Sequence, residues 1–286
     1  MIYFEIFKSL AKRNKANIGV GLGGLKEHNT KILEACLNFL REFNSTLFLF
    51  GNNKAITHIK ESKLIEESNK KIILVNSDDP EEVIFKYLKN NKLNAVVRGN
   101  LSTNKFLTNL RKNFNISEIN RLALLETYDG FQFFYGPVGI DECNSINDKI
   151  SFVEKTVKLL MSLKIDPKVS ILSGGRLGDI GRDTRVNESI SNAEEIVKYL
   201  SLEFSNVLIS HDEILIENAI QNESNVIIAP DGISGNLIYR TLVHLGGGKA
   251  FGAIYLDIEP IIIDTSRVGK TSEIFGALVL ALALAH

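Results

Sequence analysis

Short, fully apolar runs alternate with longer segments whose apolar residues recur three or four positions apart. Runs of the first kind predict buried strands, and segments of the second kind predict amphipathic helices. In the first part of the chain, strands are predicted at residues 17–20, 46–50, 71–75 and 94–97. Because fully apolar strands separated by helices are typical of parallel sheets covered on both faces, this pattern predicts an α/β fold.

The alternation is interrupted near residue 120. Two apolar segments, residues 121–127 and 130–135, flank the dipeptide Tyr128-Asp129. An Asp-Gly step between such segments is a strong hairpin signal. Antiparallel pairing differs from the preceding rhythm, so we predict a domain change at this point.

Strand–helix alternation then resumes to the end of the chain. A helix is predicted over 146–163, further helices near 190–200 and 212–221, and strands over 168–172, 207–209 and 226–229. We therefore predict two α/β lobes, the first made of residues 1–120 and 255–286 and the second of residues 121–254.

Composition narrows the class of protein. The 286-residue chain has a net charge of −1, with 44% apolar and 23% charged residues. This balance is ordinary for a globular protein and gives no global attraction to nucleic acid or an anionic membrane. Its two cysteines, Cys36 and Cys143, form no CxxC pair, so we expect no zinc site, no disulfide framework and a cytoplasmic location. The most apolar segment, 274–285, is shorter than the roughly 20 residues of a membrane span and predicts a core helix.

Polar loops follow several predicted strands, where open α/β sheets place their ligands. The loop Gly21-Leu22-Gly23-Gly24 lacks the third glycine of the dinucleotide fingerprint, since Lys26 stands there, and we interpret it as a tight turn. The loop Arg98-Gly99-Asn100 brings a charge to the end of a buried strand, where it requires a partner or a ligand. A substrate-binding role and a salt bridge remain equally open for Arg98, and Asn100 is a second candidate.

The densest polar loop runs from Ser173 to Arg185 and contains three arginines and two aspartates among four glycines. Glycines allow a close backbone approach, and guanidinium groups bind phosphate or carboxylate in a forked geometry. We favour an anion site that uses Ser173, Arg176 and Arg182. The alternative is a surface network in which arginines and aspartates satisfy one another.

Two more loops follow apolar strands in the last third. Asp231 precedes a helix that is predicted to begin at Ser234 or Gly235 and run to Leu245, with free N–H groups toward a ligand, although Asp231 also suits a simple turn. Ser266-Arg267 offers a hydroxyl beside a cation, which suits an oxyanion or a transferring phosphate. A helix capped by Ser272 would hold Glu273 in its first turn, where the helix dipole keeps a carboxylate ionised as a base.

In order and spacing, these landmarks resemble the phosphotransacetylase family, the phosphate acetyl- and butyryltransferases. The matching residues, within roughly 168–286, are Pro230-Asp231, Gly235-Asn236, Leu245-Gly246-Gly247, Asp264-Thr265-Ser266-Arg267 and Glu273. The resemblance implies a three-layer α/β/α fold with two lobes, like that of isocitrate and isopropylmalate dehydrogenases. It also implies an active site in the interlobe cleft and dimers formed through the second lobe.

The same resemblance implies roles for individual residues. Ser266 and Arg267 would stabilise the transferring centre, Glu273 would help to deprotonate a thiol acceptor, and Asn236 would contribute to substrate binding. Two departures are that Val268 replaces a glycine of that family and that Glu273 replaces an aspartate.

A narrower group is more similar. The runs Leu124–Thr127, Tyr135–Glu142 and Ser173–Arg182 resemble the methanogen marker protein 4 family, also called MtxX, the X subunit of an Mtx methyltransferase. This resemblance implies a methyltransferase subunit of methanogenic metabolism that transfers or binds an anionic group carrier, with methyltransferase or corrinoid-protein partner subunits. The sequence has no S-adenosylmethionine loop and no Asp-x-His-x-x-Gly cobalamin motif, so a corrinoid would belong to a partner. Coenzyme A is the other candidate cofactor.

Other functions remain open beside this one. The chain could be a phosphate acyltransferase that moves an acyl group between coenzyme A and phosphate, or a binding subunit without catalysis. A metal-dependent decarboxylating dehydrogenase of the same fold is less favoured, because the sequence shows no tight carboxylate cluster and no metal site is expected.

Overall fold

The computed structural model describes residues 2–68 and 70–285, which divide into two compact units. The first unit contains Ile2–Glu118 and the chain from Ala250 onward, and the second contains Ile119–Lys249. The helices are α1 (Tyr3–Ala11), α2 (Lys26–Glu42), α3 (Asn53–Lys60), α4 (Pro80–Lys89), α5 (Thr103–Phe114), α6 (Ile146–Ser162), α7 (Thr184–Glu203), α8 (Ile216–Gln221), α9 (Gly232–Arg240) and α10 (Thr271–Leu284). The strands are β1 (Asn17–Gly21), β2 (Thr46–Gly51), β3 (Ile72–Asn76), β4 (Ala95–Val97), β5 (Arg121–Glu126), β6 (Gln132–Gly136), β7 (Lys168–Ile171), β8 (Leu208–His211), β9 (Val226–Ile228), β10 (Lys249–Tyr255) and β11 (Ile261–Asp264).

The sheet of the first unit has the strand order β3-β2-β1-β4-β11-β10. Its strands pair in parallel, except that β10 is antiparallel to β11. Val97 of β4 lies opposite Val20 of β1 and Ile263 of β11. The carboxyl ends of these three strands therefore meet at one edge of the sheet, and the loops that follow them begin side by side.

Helix α10 is the core helix of this unit. Its residues from Glu273 to Leu284 are buried, except Phe275, and it packs against α1 and α2. The core helix predicted over 274–285 is thus confirmed. The short helix α1 was not predicted, and it packs partly through Phe4, whose ring stacks on Phe251 with centroids 4.2 Å apart. Within the described part of the chain, every helix is too short or too polar to cross a bilayer.

The second unit has the strand order β5-β6-β9-β7-β8. The hairpin predicted around Asp129 is confirmed, because β5 and β6 are antiparallel with Leu124 opposite Phe134. The remaining strands pair in parallel, and Ile171 of β7 lies opposite Ile228 of β9. The loops after β7 and β9 therefore leave from neighbouring positions at one edge.

The prediction for the helix after Asp231 was wrong about its start and its length. Helix α9 begins at Gly232 because the Asp231 side chain accepts a hydrogen bond from the Ser234 N–H at 2.8 Å. The Ser234 hydroxyl in turn accepts from the Asp231 N–H at 3.3 Å, which completes a capping box. The helix ends at Arg240, and a π-helical turn over Thr241–Leu245 follows it.

Candidate functional site

A pocket lies at the sheet edge of the first unit, where the loops after β4 and β11 meet the beginning of α2. Its lining residues are His28, Lys31, Ile32, Gly99, Asn100, Thr265, Ser266, Arg267, Gly269 and Ile274. Three predicted site residues, Asn100, Ser266 and Arg267, are therefore brought together although Asn100 is far from the other two in sequence. Arg267 is exposed, whereas Ser266 and Asn100 are half-buried.

Two basic residues of this pocket were not predicted. Lys31 and His28 both come from α2, which follows the glycine-rich turn after β1. The side chain of Asn29 fixes that turn to the helix, since it accepts from the Gly23 N–H at 3.0 Å and donates to the Gly23 carbonyl at 2.8 Å. A sequence signal was available: two basic residues three positions apart, in the first turns of a helix that follows a strand and a glycine turn.

Arg98 forms a buried salt bridge, one of the two roles that the sequence left open. Its guanidinium donates to the Asp264 carboxylate, to the Leu101 carbonyl at 2.8 Å and to the Thr265 carbonyl. Both charged side chains are nearly inaccessible to water, with 4% of Arg98 and 6% of Asp264 exposed. Arg98 thus ties the loop after β4 to the loop after β11 and holds two walls of the pocket together.

Glu273 lies against the backbone of the Ser266 loop. Its Oε1 accepts a hydrogen bond from the Ser266 N–H at 2.7 Å, and the residue is buried. The prediction that Ser272 caps this helix was wrong: α10 begins at Thr271, Lys270 precedes it, and no side chain caps it. Glu273 instead connects the first turn of α10 to the pocket wall.

A larger pocket lies in the second unit, at the ends of β7 and β9 and at the beginnings of α7 and α9. Its volume is about 470 Å³. Its lining residues are Leu172, Ser173, Gly174, Asp183, Arg185, Val186, Ser189, Ile214, Ile216, Pro230, Asp231, Ser234 and Ile238. The predicted residues Ser173 and Asp231 are therefore also brought together. The apolar walls distinguish this pocket from the more basic one in the first unit.

The arginines of the 173–185 loop are placed differently from the prediction. Arg176 and Arg182 are exposed and do not line this pocket, and Arg182 forms an ion pair with Asp179 on the surface. Arg185 lines the pocket instead, and its guanidinium lies 3.4 Å from the Asp183 carboxylate. The Arg185 backbone N–H and then its guanidinium lower the pKa of Asp183 below its ordinary value. The two ion pairs correspond to the alternative prediction for this loop, a surface network in which arginines and aspartates satisfy one another.

The buried hydroxyl of Ser173 has two partners. Ser173 Oγ donates to the Gly175 carbonyl at 2.8 Å and lies 2.9 Å from His211 Nε2. A hydroxyl has a single proton, so with that proton on the Gly175 carbonyl His211 must be the donor in the second bond. In this arrangement His211 cannot act as a base toward Ser173, and the pair shapes the turn after β7.

The two remaining predicted residues of the second unit make structural contacts around α9. Asp231 caps the helix, and Asn236 donates from Nδ2 to the Val138 carbonyl at 2.7 Å. Asn236 does not line the pocket that contains Asp231. Among the described residues, no three His, Cys, Asp or Glu side chains are grouped as metal ligands.

Comparisons with known proteins place the chain in a family. No protein-family model matches it. A protein of Methanosarcina mazei named "Putative methyltransferase mtx subunit X" is 39% identical over 283 residues, which are 99% of this chain and 95% of the relative. A protein of Methanocaldococcus jannaschii named as an uncharacterized methyltransferase is 36% identical over 235 residues, which are 80% of this chain and 93% of the relative.

Solved structures confirm the predicted fold class. A branched-chain phosphotransacylase from Enterococcus faecalis superposes with a TM-score of 0.70 at 16% identity, covering 94% of this chain and 100% of its own. A phosphotransacetylase from Streptococcus pyogenes also gives 0.70, at 15% identity and with 100% and 99% coverage. The fold is thus the three-layer α/β/α fold of phosphotransacetylases. The chain is 39% identical to the M. mazei protein along nearly its whole length, and this identity shows that it belongs to the mtx subunit X family.

Proposed function

We propose that this chain is a methyltransferase subunit that binds an anionic group carrier in the pocket of the first unit. One observation carries the proposal: Asn100, Ser266 and Arg267 line the same pocket as Lys31. A guanidinium and an ammonium beside a hydroxyl supply the charge and the hydrogen-bond donors that phosphate or carboxylate oxygens require. The names of the relatives support methyl as the transferred group.

The contacts around the pocket suit a site for group transfer. The salt bridge of Arg98 with Asp264 and the bond from the Ser266 N–H to Glu273 hold the backbone that carries Ser266 and Arg267. Backbone held in this way presents its donors without reorganisation when a ligand binds. In this proposal Ser266 and Arg267 bind the reacting centre, and Glu273 is the nearby proton acceptor.

The second pocket and the partners are further parts of the proposal. Ser173 and Asp231 would bind substrate in the second-unit pocket, whose walls include several apolar side chains. In this proposal Lys31 and Arg267 would bind phosphates of coenzyme A, and coenzyme A would supply a thiol acceptor. A corrinoid would be carried by a partner, because the relative is named as a subunit. We also propose a homodimer and a cytoplasmic location; the location is in keeping with Cys36 and Cys143, which are buried and form no disulfide.

A ligand screen tests the site. Purified protein is heated with coenzyme A esters, acyl phosphates, methylcorrinoids or tetrahydropterins at constant ionic strength, and the class that raises the melting temperature is followed by calorimetric titration. Arg267→Ala should weaken binding of that class by about tenfold or more, the worth of hydrogen bonds to a charged group. Arg13→Ala removes an exposed arginine of the same unit outside the pocket and should bind as the wild type does. Equal affinity in the Arg267→Ala protein would contradict the proposal.

A second function, phosphate acyl transfer, is favoured by the shared fold and by the Ser266-Arg267 pair. It predicts that acetyl-coenzyme A and phosphate yield acetyl phosphate and free coenzyme A, and the free thiol can be followed by a colorimetric thiol reagent. Methyl transfer predicts instead loss of the methylcorrinoid absorbance when the acceptor is added with partner subunits. Binding without turnover in both assays would identify a subunit without catalysis.

A further inference from the structure

The second-unit pocket has the volume and the walls of a small-molecule site. Its volume of about 470 Å³ lies within the range of roughly 300–1,000 Å³ that is typical of such sites. Its apolar walls come from several parts of the unit: Leu172 after β7, Val186 of α7, Ile214 and Ile216 beside the beginning of α8, and Ile238 of α9. Because a mostly apolar site uses a few polar groups to orient its ligand, those groups indicate the class of ligand.

The two helix starts at this pocket are each occupied by a carboxylate. Asp183 accepts hydrogen bonds from the backbone N–H groups of Arg185 at 2.9 Å and of Val186 at 3.4 Å, in the first turn of α7. Asp231 accepts from the Ser234 N–H at 2.8 Å, in the first turn of α9. A helix start attracts an anion, but here a negatively charged side chain already stands in that place. A second anion would be repelled at both positions.

The same carboxylates leave hydrogen-bond acceptors for a ligand. Asp183 and Asp231 each bond their helix through Oδ1, and neither Oδ2 accepts a bond from any residue that the structure describes. Both residues are exposed and line the pocket, so a dissolved ligand can reach them. The cation among the lining residues is Arg185, whose guanidinium lies 3.4 Å from Asp183 and offsets one of the two negative charges. The lining therefore favours a ligand that donates N–H groups and carries no negative charge.

We infer that the second-unit pocket binds an amino-substituted nitrogen heterocycle whose N–H groups donate to the carboxylates of Asp183 and Asp231. A planar ring system has two apolar faces for the walls and carries its donors at the rim, where two separate acceptors can bind them. This inference names the ligand class for the substrate-binding role proposed for Asp231, and it rests on that part of the proposed function. The ligand differs in charge from the anion of the first-unit pocket, so the two sites can be tested separately.

The wild-type protein is tested first, by calorimetric titration at constant ionic strength. The probes are 2,6-diaminopurine, unsubstituted purine and inorganic phosphate. Diaminopurine should bind, and purine, which lacks both amino groups, should bind about tenfold more weakly or less, the worth of hydrogen bonds to a charged group. Phosphate should not displace diaminopurine. Equal affinities for the two purines, or displacement by phosphate, would overturn the inference.

Two amide substitutions then test the carboxylates. Asparagine caps a helix about as well as aspartate but replaces one carboxylate oxygen with an N–H donor. Asp183→Asn and Asp231→Asn should therefore keep the melting temperature of the wild type and bind diaminopurine about tenfold more weakly or less. Asp148→Asn is the matched control, because Asp148 accepts from the Ser145 N–H at 3.0 Å in the capping box of α6 and lies outside the pocket. This variant should keep the wild-type affinity.

The outcomes separate this inference from the anion site of the first unit. Unchanged diaminopurine affinity in both Asp183→Asn and Asp231→Asn would overturn the inference, and so would a loss of phosphate affinity in Arg185→Ala. Arg267→Ala should keep the diaminopurine affinity, whereas unchanged phosphate affinity in that variant would overturn only the first-unit site. If an aspartate variant fails to fold, the comparison of the two purines on the wild-type protein decides.

Discussion

Replacing Arg98 by leucine should destabilise the scaffold of the first-unit pocket and not merely weaken a ligand contact. The guanidinium makes three bonds, to the Asp264 carboxylate and to the carbonyls of Leu101 and Thr265. Arg98→Leu leaves the Asp264 charge in the interior without this cation. Breaking a buried ion pair in this way costs about 3–5 kcal/mol of unfolding free energy. For a domain of about 150 residues this is a fall in melting temperature of roughly 6–20 °C.

The assay is urea denaturation followed by circular dichroism, with the unfolding free energy taken from linear extrapolation. Arg98→Lys should lie between the wild type and Arg98→Leu, because an ammonium keeps the charge but cannot bond three acceptors in the planar geometry of a guanidinium. Arg267→Leu is the matched control: this arginine is exposed, so its loss should change the unfolding free energy by no more than about 0.5 kcal/mol.

The two arginines should therefore show opposite signatures. Arg98→Leu should lose stability, whereas Arg267→Leu should stay stable and lose anion affinity. The reasoning is refuted if Arg98→Leu keeps the urea midpoint of the wild type while anion binding disappears. That result would make Arg98 a ligand-binding residue, the other role that its position in the sequence allows.

Two further predictions concern packing and pH. Gly23→Ala would place a methyl group 2.4 Å from the Asn100 carbonyl oxygen. This variant should therefore lose about 1–3 kcal/mol of unfolding free energy and bind anions more weakly. At Gly24 an added methyl group meets no atom within 4 Å, so Gly24→Ala should keep both the stability and the anion affinity of the wild type. Urea denaturation and anion titration of the two variants check this prediction. Equal stability and equal anion affinity of the two variants would contradict it. In the second unit, burial lowers the pKa of Lys149 from 10.5, against the opposing effects of Cys143 and Asp231. The unfolded chain then binds this proton more readily, so the wild-type unfolding free energy should rise with pH toward 10.5 and fall as the pH drops through the folded pKa. Lys149→Met should flatten this slope in denaturation curves recorded as the pH approaches 10.5, and equal slopes would contradict the assignment.

Much of the fold could be predicted because its signals are local. Apolar runs mark β1 to β4, and the Asp129-Gly130 step marks the hairpin of β5 and β6. The beginning of α9 was missed for a local reason as well: the reciprocal bonds of Asp231 and Ser234 form a capping box that fixes Gly232 as the first helical residue. Recognising Asp231 as a cap would have corrected the boundary.

The assembly of the candidate site could be predicted only in part, because it depends on strand register. Asn100 and Ser266 meet because β4 and β11 are parallel neighbours, an arrangement that no short stretch of sequence reveals. Lys31 and His28 of α2 reach the pocket because α2 follows β1, which pairs with β4. Sequence spacing also could not separate Arg98, whose charge is paired with Asp264, from Arg267, which is exposed at the pocket.

Val268 is the residue that departs most clearly from the phosphotransacetylase pattern, and its surroundings show how far that departure matters. A glycine would be needed there if the loop required a left-handed backbone, which a valine adopts only at high cost. Val268 is not among the residues with positive φ, its side chain is 51% exposed, and its N–H lies 3.4 Å from Ser266 Oγ. The loop therefore accommodates valine without backbone strain, and the side chain adds apolar surface next to Arg267. Since the backbone can keep Ser266 and Arg267 in place with either residue, and Val268 is not among the residues that line the pocket, the replacement does not argue against anion binding there.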